Sequence, residues 1–223
     1  MHLPPHHMER IAQALVELDV VRVATHQPFI YTTGWASPVY VDIRALMSDV
    51  PRRSLILDLA AQALKPTVEQ RGINAIVGTE GAGVAFAAWL AERLGLPLLY
   101  LRKRPVGWGM GAQIEGKLPH NARVLLVDDV TTDARSKADA CAALRKCGAQ
   151  ANDVMVLVNF DIYPQSHDML AQQEVTLHAL VTWPQLFAAY APQAPLSPVQ
   201  RDALAEFNAS PVRWSLNHGG VGA

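Results

Sequence analysis

Residues 124–137 read VLLVDDVTTDARSK: four aliphatic residues run into the adjacent acids Asp128 and Asp129, and a polar turn follows. An uninterrupted aliphatic run suits a strand covered on both faces, as in a parallel sheet. A single acid after such a strand would serve to cap the next helix. Two adjacent acids exceed that need, because neighbouring side chains on an extended segment point to opposite faces and at least one meets the cleft.

Working outward, short apolar strands alternate with helices from residue 73 onward. The pattern predicts strands over 73–78, 96–101, 124–130 and 154–160, with helices over 84–94 and 136–146. Continuous apolar strands alternating with helices mean a parallel sheet with both faces covered, whose ligands sit beyond the carboxyl ends of the strands. Three stretches fall at such ends: GTEGAGVAF (78–86), RKRPVGWGMGAQIEGKLPHN (102–121) and DDVTTDARS (128–136). Upstream, Met8 to Leu18 carries Ile11, Ala14, Leu15 and Leu18 at helical spacing. Residues 20–44 are rich in β-branched and aromatic side chains punctuated by Gly34 and Pro38, which predicts short strands and turns, and helical periodicity returns over 52–64. Downstream, a strand over 176–183 precedes two short helices, and the closing NHGGVGA is expected to be a frayed tail.

The chain has 223 residues, half of them hydrophobic and 17% charged, which excludes a disordered chain and suits one domain with a sizeable core. A net charge of −1 supplies no global field for nucleic acid or anionic membrane, so a polyanion must be held locally. There is no apolar run long enough for a membrane span and no apolar centre in MHLPPHHMER, so a cytoplasmic location is expected. Cys141 and Cys147 point to different faces of one helix and should not bridge.

A strand, an acidic pair and a threonine-containing turn into a helix make a pocket with two halves. Backbone amides and the helix N-terminus attract an anion such as phosphate, while carboxylates attract hydroxyls or a hydrated divalent cation. A sugar phosphate satisfies both.

VLLVDDVTTDARS resembles the phosphoribosyl diphosphate (PRPP) signature of type I phosphoribosyltransferases. FIYTTGWASPVYVDIR (29–44), VGTEGAGVAFAAWLAERLGLPLLYLRK (77–103) and IEGKL (114–118) narrow the likeness to the orotate phosphoribosyltransferase family, in order from about residue 8 to residue 190. The resemblance implies an α/β fold of the type I kind: a central, mostly parallel sheet flanked by helices, with a flexible catalytic-type loop. It implies a single domain over 1–223, divided into an N-terminal hood to about residue 50, a sheet core to about 195, and a C-terminal helix and tail over 196–223. The activity implied is transfer of the phosphoribosyl group of PRPP to orotate, giving orotidine monophosphate and diphosphate in pyrimidine nucleotide synthesis, with Mg²⁺, in a homodimer with shared active sites.

By matching position, the implied catalytic residues are Lys103, Asp128 and Asp129. PRPP falls to Arg102, Lys103, Asp128, Asp129, Val130, Thr131, Thr132, Ser136, Gly78 and Gly81, with Gly83 in the same glycine loop. The base falls to Tyr40 and Thr132, and Mg²⁺ to Asp128 and Asp129, mainly through the substrate. Arg102 and Lys103 match a pair that reaches the neighbouring subunit's diphosphate. Residues 104–122, with Gly107, Gly109, Gly111 and Gly116, match a lid whose closure would keep water from a cationic sugar.

Departures from the family pattern cluster at the chemistry. Val106 and Trp108 replace a lysine and a histidine of the lid, and losing one such donor typically costs about 3 kcal/mol of transition-state stabilisation. Asp133, Ala134 and Arg135 replace a Gly/Ala/Thr-rich turn, with Asp133 expected to face the phosphate and Ala134 to be penalised if left-handed. Ile162 replaces an arginine for the orotate carboxylate, and Thr32 and Trp35 stand where lysine and arginine are usual. Reduced activity is therefore expected. Two alternatives stand beside it: a non-catalytic nucleotide- or PRPP-binding regulatory protein, and a phosphoribosyltransferase for a different base.

Overall fold

The computed structural model describes residues 3–105 and 113–222. Helix α1 (Pro5–Glu17) leads into four short strands, β1 (Val21–Val23), β2 (Phe29–Ile30), β3 (Ala36–Ser37) and β4 (Val39–Val41), and a 3₁₀ turn over Ile43–Met47. There follow α2 (Val50–Arg71), β5 (Ala75–Thr79), α3 (Ala82–Leu94), β6 (Leu98–Leu101), β7 (Ile114–Glu115), β8 (Arg123–Thr131), α4 (Arg135–Lys146) and β9 (Gln150–Asn159). The chain closes with α5 (Gln165–Gln172), β10 (Thr176–Thr182), α6 (Trp183–Tyr190), α7 (Pro198–Ala209) and α8 (Pro211–Asn217).

Six strands form the main sheet in the order β10-β9-β8-β5-β6-β7. All its pairings are parallel except β6 with β7. The aliphatic run of β8 shows why: Leu125 and Val127 pack into one core with α1, α2 and α3, while Val124 and Leu126 pack into a second with α4 and α5. Both faces of the strand are dry, as a run without polar alternation requires. β1 pairs with β4 and β2 with β3, both antiparallel; these small ribbons and the 3₁₀ turn lie within the span expected to be the hood, and are called the hood.

Local chemistry sets the element ends. Asp49 caps α2 through the Arg52 amide, and Gly72 closes it in the left-handed conformation. The helix outruns the expected 52–64 and passes through Pro66. Proline removes one backbone donor, yet Ile56, Leu57, Ala60 and Leu64 bury a face whose packing carries the helix onward. Reciprocal capping boxes, Thr182 with Gln185 and Ser197 with Gln200, start α6 and α7.

The terminal segment corrects the expectation of a frayed tail. The Val221 amide donates to the Gly34 carbonyl at 2.9 Å, and Ser215 Oγ accepts from the Ala36 amide at 3.0 Å while donating to the Val221 carbonyl at 2.7 Å. Residues 215–221 thus strap the hood loop. No disulfide joins Cys141 and Cys147; Cys141 is buried and its thiol is pushed up to about 11 by burial. Among the described residues no helix is long and apolar enough to cross a membrane.

Candidate active site

The carboxyl ends of β5 and β8 meet the hood, and the acidic pair lies there. Asp128 has the parity of Leu126 and Asp129 that of Val127, so their side chains part company. Asp128 turns to α4, where the buried Lys137 places Nζ 2.5 Å from Oδ2. Asp129 turns to the hood, where Arg44 Nε stands 3.7 Å from its Oδ2. Burial alone would raise the Asp128 carboxyl; the Lys137 ammonium outweighs it and holds the group below the ordinary aspartate range. Asp129 is pushed above that range by burial and then by the charge of Asp128. One acid is thereby committed to an internal ion pair. The other has an exposed arginine opposite it, on the 3₁₀ turn.

The glycine loop packs against this pair. A Cβ on Gly83 would stand 2.3 Å from Thr79 Oγ1 and 2.6 Å from the Val127 carbonyl, and one on Gly78 would stand 2.6 Å from Val84 Cα. α3 approaches the strand ends this closely only because those side chains are missing. Gly81 starts the helix at φ 112°, ψ −131°, a conformation essentially reserved for glycine, and it is exposed.

At the end of β8 Val130 is half-buried and Thr131 buried, and beyond it Thr132 is half-buried while Arg135 and Ser136 are exposed. Ala134 takes φ 63°, the left-handed turn its position demands. Asp133 does not face an anion pocket as expected from sequence. It is 1% exposed; Oδ2 accepts from the Trp35 indole at 2.8 Å and Oδ1 from the Arg135 amide at 3.2 Å. Arg135 keeps its guanidinium largely in solvent, 3.8 Å from the same carboxylate. Among the described residues the amides of Thr132, Asp133 and Ala134 have no partner within the chain.

Tyr40 on β4 is half-buried beside Phe29, with ring centroids 5.7 Å apart, and Tyr31, 6.3 Å away. Tyr31 reaches Phe160 at the end of β9 at 6.0 Å, making an aromatic floor between hood and sheet. Ile162 packs against the core just beyond it, and Asp161 pairs with His167 at 3.1 Å.

Arg102 donates to Glu115 at 2.6 Å across the β6–β7 edge, and the Lys103 amide donates to Glu80 of the glycine loop at 2.6 Å, leaving the Lys103 side chain exposed. The expected lid, 104–122, starts next to this clasp and includes its Glu115. Val106, Gly107, Trp108, Gly109 and Gly111 lie outside the described residues.

Lys137 and Arg44 carry no assignment in the sequence reading. Arg44 closes the quoted 29–44 segment, and Lys137 follows the turn by one residue. Their proximity to the acids depends on hood placement and helix direction, which no spacing rule supplies.

The matching family profile is the phosphoribosyl transferase domain, over residues 51–175. An orotate phosphoribosyltransferase of Sinorhizobium fredii is 37% identical over 214 residues, covering 96% of this chain and 92% of the relative. The chain belongs to the orotate phosphoribosyltransferase family. Among solved structures, the orotate phosphoribosyltransferase of Aeropyrum pernix superposes with a TM-score of 0.68 at 29% identity, covering 82% of this chain and 99% of that one. The Leishmania donovani UMP synthase, at 24% identity and a TM-score of 0.73, covers 90% of this chain and 42% of that one, and shares the fold. The type I phosphoribosyltransferase architecture expected from the sequence is therefore the one present, with its six-stranded, mostly parallel sheet between helices.

Proposed function

We propose that this chain is an orotate phosphoribosyltransferase. It would break the bond between ribose C1 of PRPP and diphosphate, and form one between that carbon and a ring nitrogen of orotate, giving orotidine monophosphate for pyrimidine synthesis. The observation that carries this reading is 36–37% identity to curated orotate phosphoribosyltransferases over 96% of the chain. The geometry supports a division of labour. Asp129, facing the hood, receives the ribose hydroxyls and steadies the cationic sugar, and Asp128, paired with Lys137, keeps the strand end rigid. The turn from Thr131 to Ser136 receives the 5′-phosphate through its unpartnered amides. Gly78, Gly81 and Gly83 bring the α3 N-terminus toward the diphosphate, and Tyr40 flanks the base.

Among the described residues no group of three or more His, Cys, Asp or Glu side chains could hold a metal ion. Mg²⁺ fits this site as a companion of the substrate, since it commonly keeps several waters and binds one or two carboxylates with phosphate oxygens. Asp129 is the carboxylate available to it. When bound, the ion would neutralise charge on the departing diphosphate. The resemblance also supports a cytoplasmic homodimer in which the exposed Lys103, with Arg102, serves the partner's diphosphate.

Purified protein mixed with orotate, PRPP and Mg²⁺ should release diphosphate and form orotidine monophosphate. Ile162 offers no cation to the orotate carboxylate, so turnover is expected below the roughly 10 per second typical of enzymes. Asp129→Asn should lower kcat/KM by about a hundredfold. Consumption of PRPP with another base but not with orotate would transfer the reading to that base. Tight PRPP binding with no product would favour a regulatory protein.

A further inference from the structure

Two departures from the family pattern, Trp35 and Asp133, lie 98 positions apart and touch. Trp35 is fully buried, its ring 4.9 Å from that of Tyr163, and its indole donates to Asp133 Oδ2 at 2.8 Å. The backbone on both sides of Trp35 is held in turn by the terminal strap, Gly34 by Val221 and Ala36 by Ser215. The other oxygen of Asp133 accepts from the Arg135 amide across Ala134, bracing the left-handed residue. A glycine-rich turn takes its shape from backbone freedom. Here side chains impose the shape, and the carboxylate they use would repel a phosphate if it swung outward.

We propose that Trp35 is a positioning residue for the phosphate-receiving turn: its indole N–H holds the Asp133 carboxylate inside the fold, so that the amides of Thr132, Asp133 and Ala134 remain for the anion. The inference rests on the transferase reading above. Trp35 touches no substrate; it acts through Asp133. The hood loop, anchored by the terminal strap, thereby sets the geometry of a turn that follows the distant β8.

The test uses Trp35→Phe, which keeps a ring and loses the donor, and Trp35→Phe/Asp133→Asn, which leaves the side chain untethered but uncharged. PRPP affinity is measured by calorimetry, KM for PRPP and orotate and kcat by turnover, and stability by thermal unfolding. W35F should weaken PRPP binding and raise its KM by about tenfold, with orotate KM and kcat within about twofold. The double variant should recover most of the PRPP affinity. Unchanged PRPP affinity in W35F, or a loss that D133N does not rescue, overturns the proposal. Should W35F not fold, D133N alone decides: equal or weaker PRPP binding is the result expected, and about tenfold tighter binding means that the carboxylate faced the phosphate and overturns the proposal. Wild-type protein that neither binds PRPP nor releases diphosphate sinks the transferase reading and this inference together. PRPP bound equally by wild type and W35F sinks the inference alone.

Discussion

Adjacent aspartates at a strand end do unequal work because a strand alternates its faces. Asp128 is tied to Lys137, and the pair is largely withdrawn from water, with side-chain exposures of 15% and 5%. Removing one partner of such a pair leaves a charge without compensation, a loss of about 3 to 5 kcal/mol, whereas removing both is far less damaging. Lys137→Met should therefore destabilise the fold by about 3 kcal/mol, and Lys137→Met/Asp128→Asn should regain much of it, as chemical denaturation would measure. Equal stability of K137M and wild type would mean that the ion pair does not hold the strand end. The sequence made the acids visible because two of them exceed what a cap needs. It did not reveal Lys137, whose Nζ reaches Asp128 only once α4 has turned back over β8. It misjudged Asp133 because an acid in a polar turn looks solvated until a buried indole is placed beside it.

The aliphatic runs of β5, β8 and β9 identified the parallel sheet without structural information, since a strand buried on both faces has nowhere to put polar residues. Elements with short or mixed patterns were not legible. β7 has two residues, and α5 and α8 have eight and seven, too few for periodicity to speak. At the opposite end of the sheet, β9 and β10 share a polar clasp: Asp153 accepts from Arg71 at 2.9 Å and lies 2.8 Å from His178 Nε2. Burial would raise the Asp153 carboxyl, but the His178 hydrogen bond and the Arg71 charge hold it below the ordinary range. A depressed carboxyl contributes stability that is present above the unfolded value of about 3.9 and lost as pH falls through the folded value. Asp153→Asn should thus cost about 1 to 2 kcal/mol at neutral pH and flatten the loss of stability below about pH 4. Identical acid unfolding of D153N and wild type would remove this clasp from the stability of the sheet edge.

Across the molecule, the hood, the sheet and the terminal strap are linked around the carboxyl end of β8 and the turn that follows it. The strap fixes Gly34 and Ala36, Trp35 fixes Asp133, and Arg44 from the hood faces Asp129, so the proposed sugar-phosphate site would draw on segments far apart in sequence. The collinear motifs made the family legible along most of the chain. The strap was not legible, because glycines and a small polar residue give no apolar signal; Gly220 packs so closely that an added Cβ would stand 2.3 Å from the Ala36 amide nitrogen. A crystal structure of the protein with PRPP and Mg²⁺ measures the decisive geometry directly. It should place the ribose hydroxyls within hydrogen-bonding distance of Asp129 and the 5′-phosphate on the 131–136 turn, with Asp133 still on Trp35. PRPP seated elsewhere, with Asp129 closed on Arg44 and the turn empty, would contradict it.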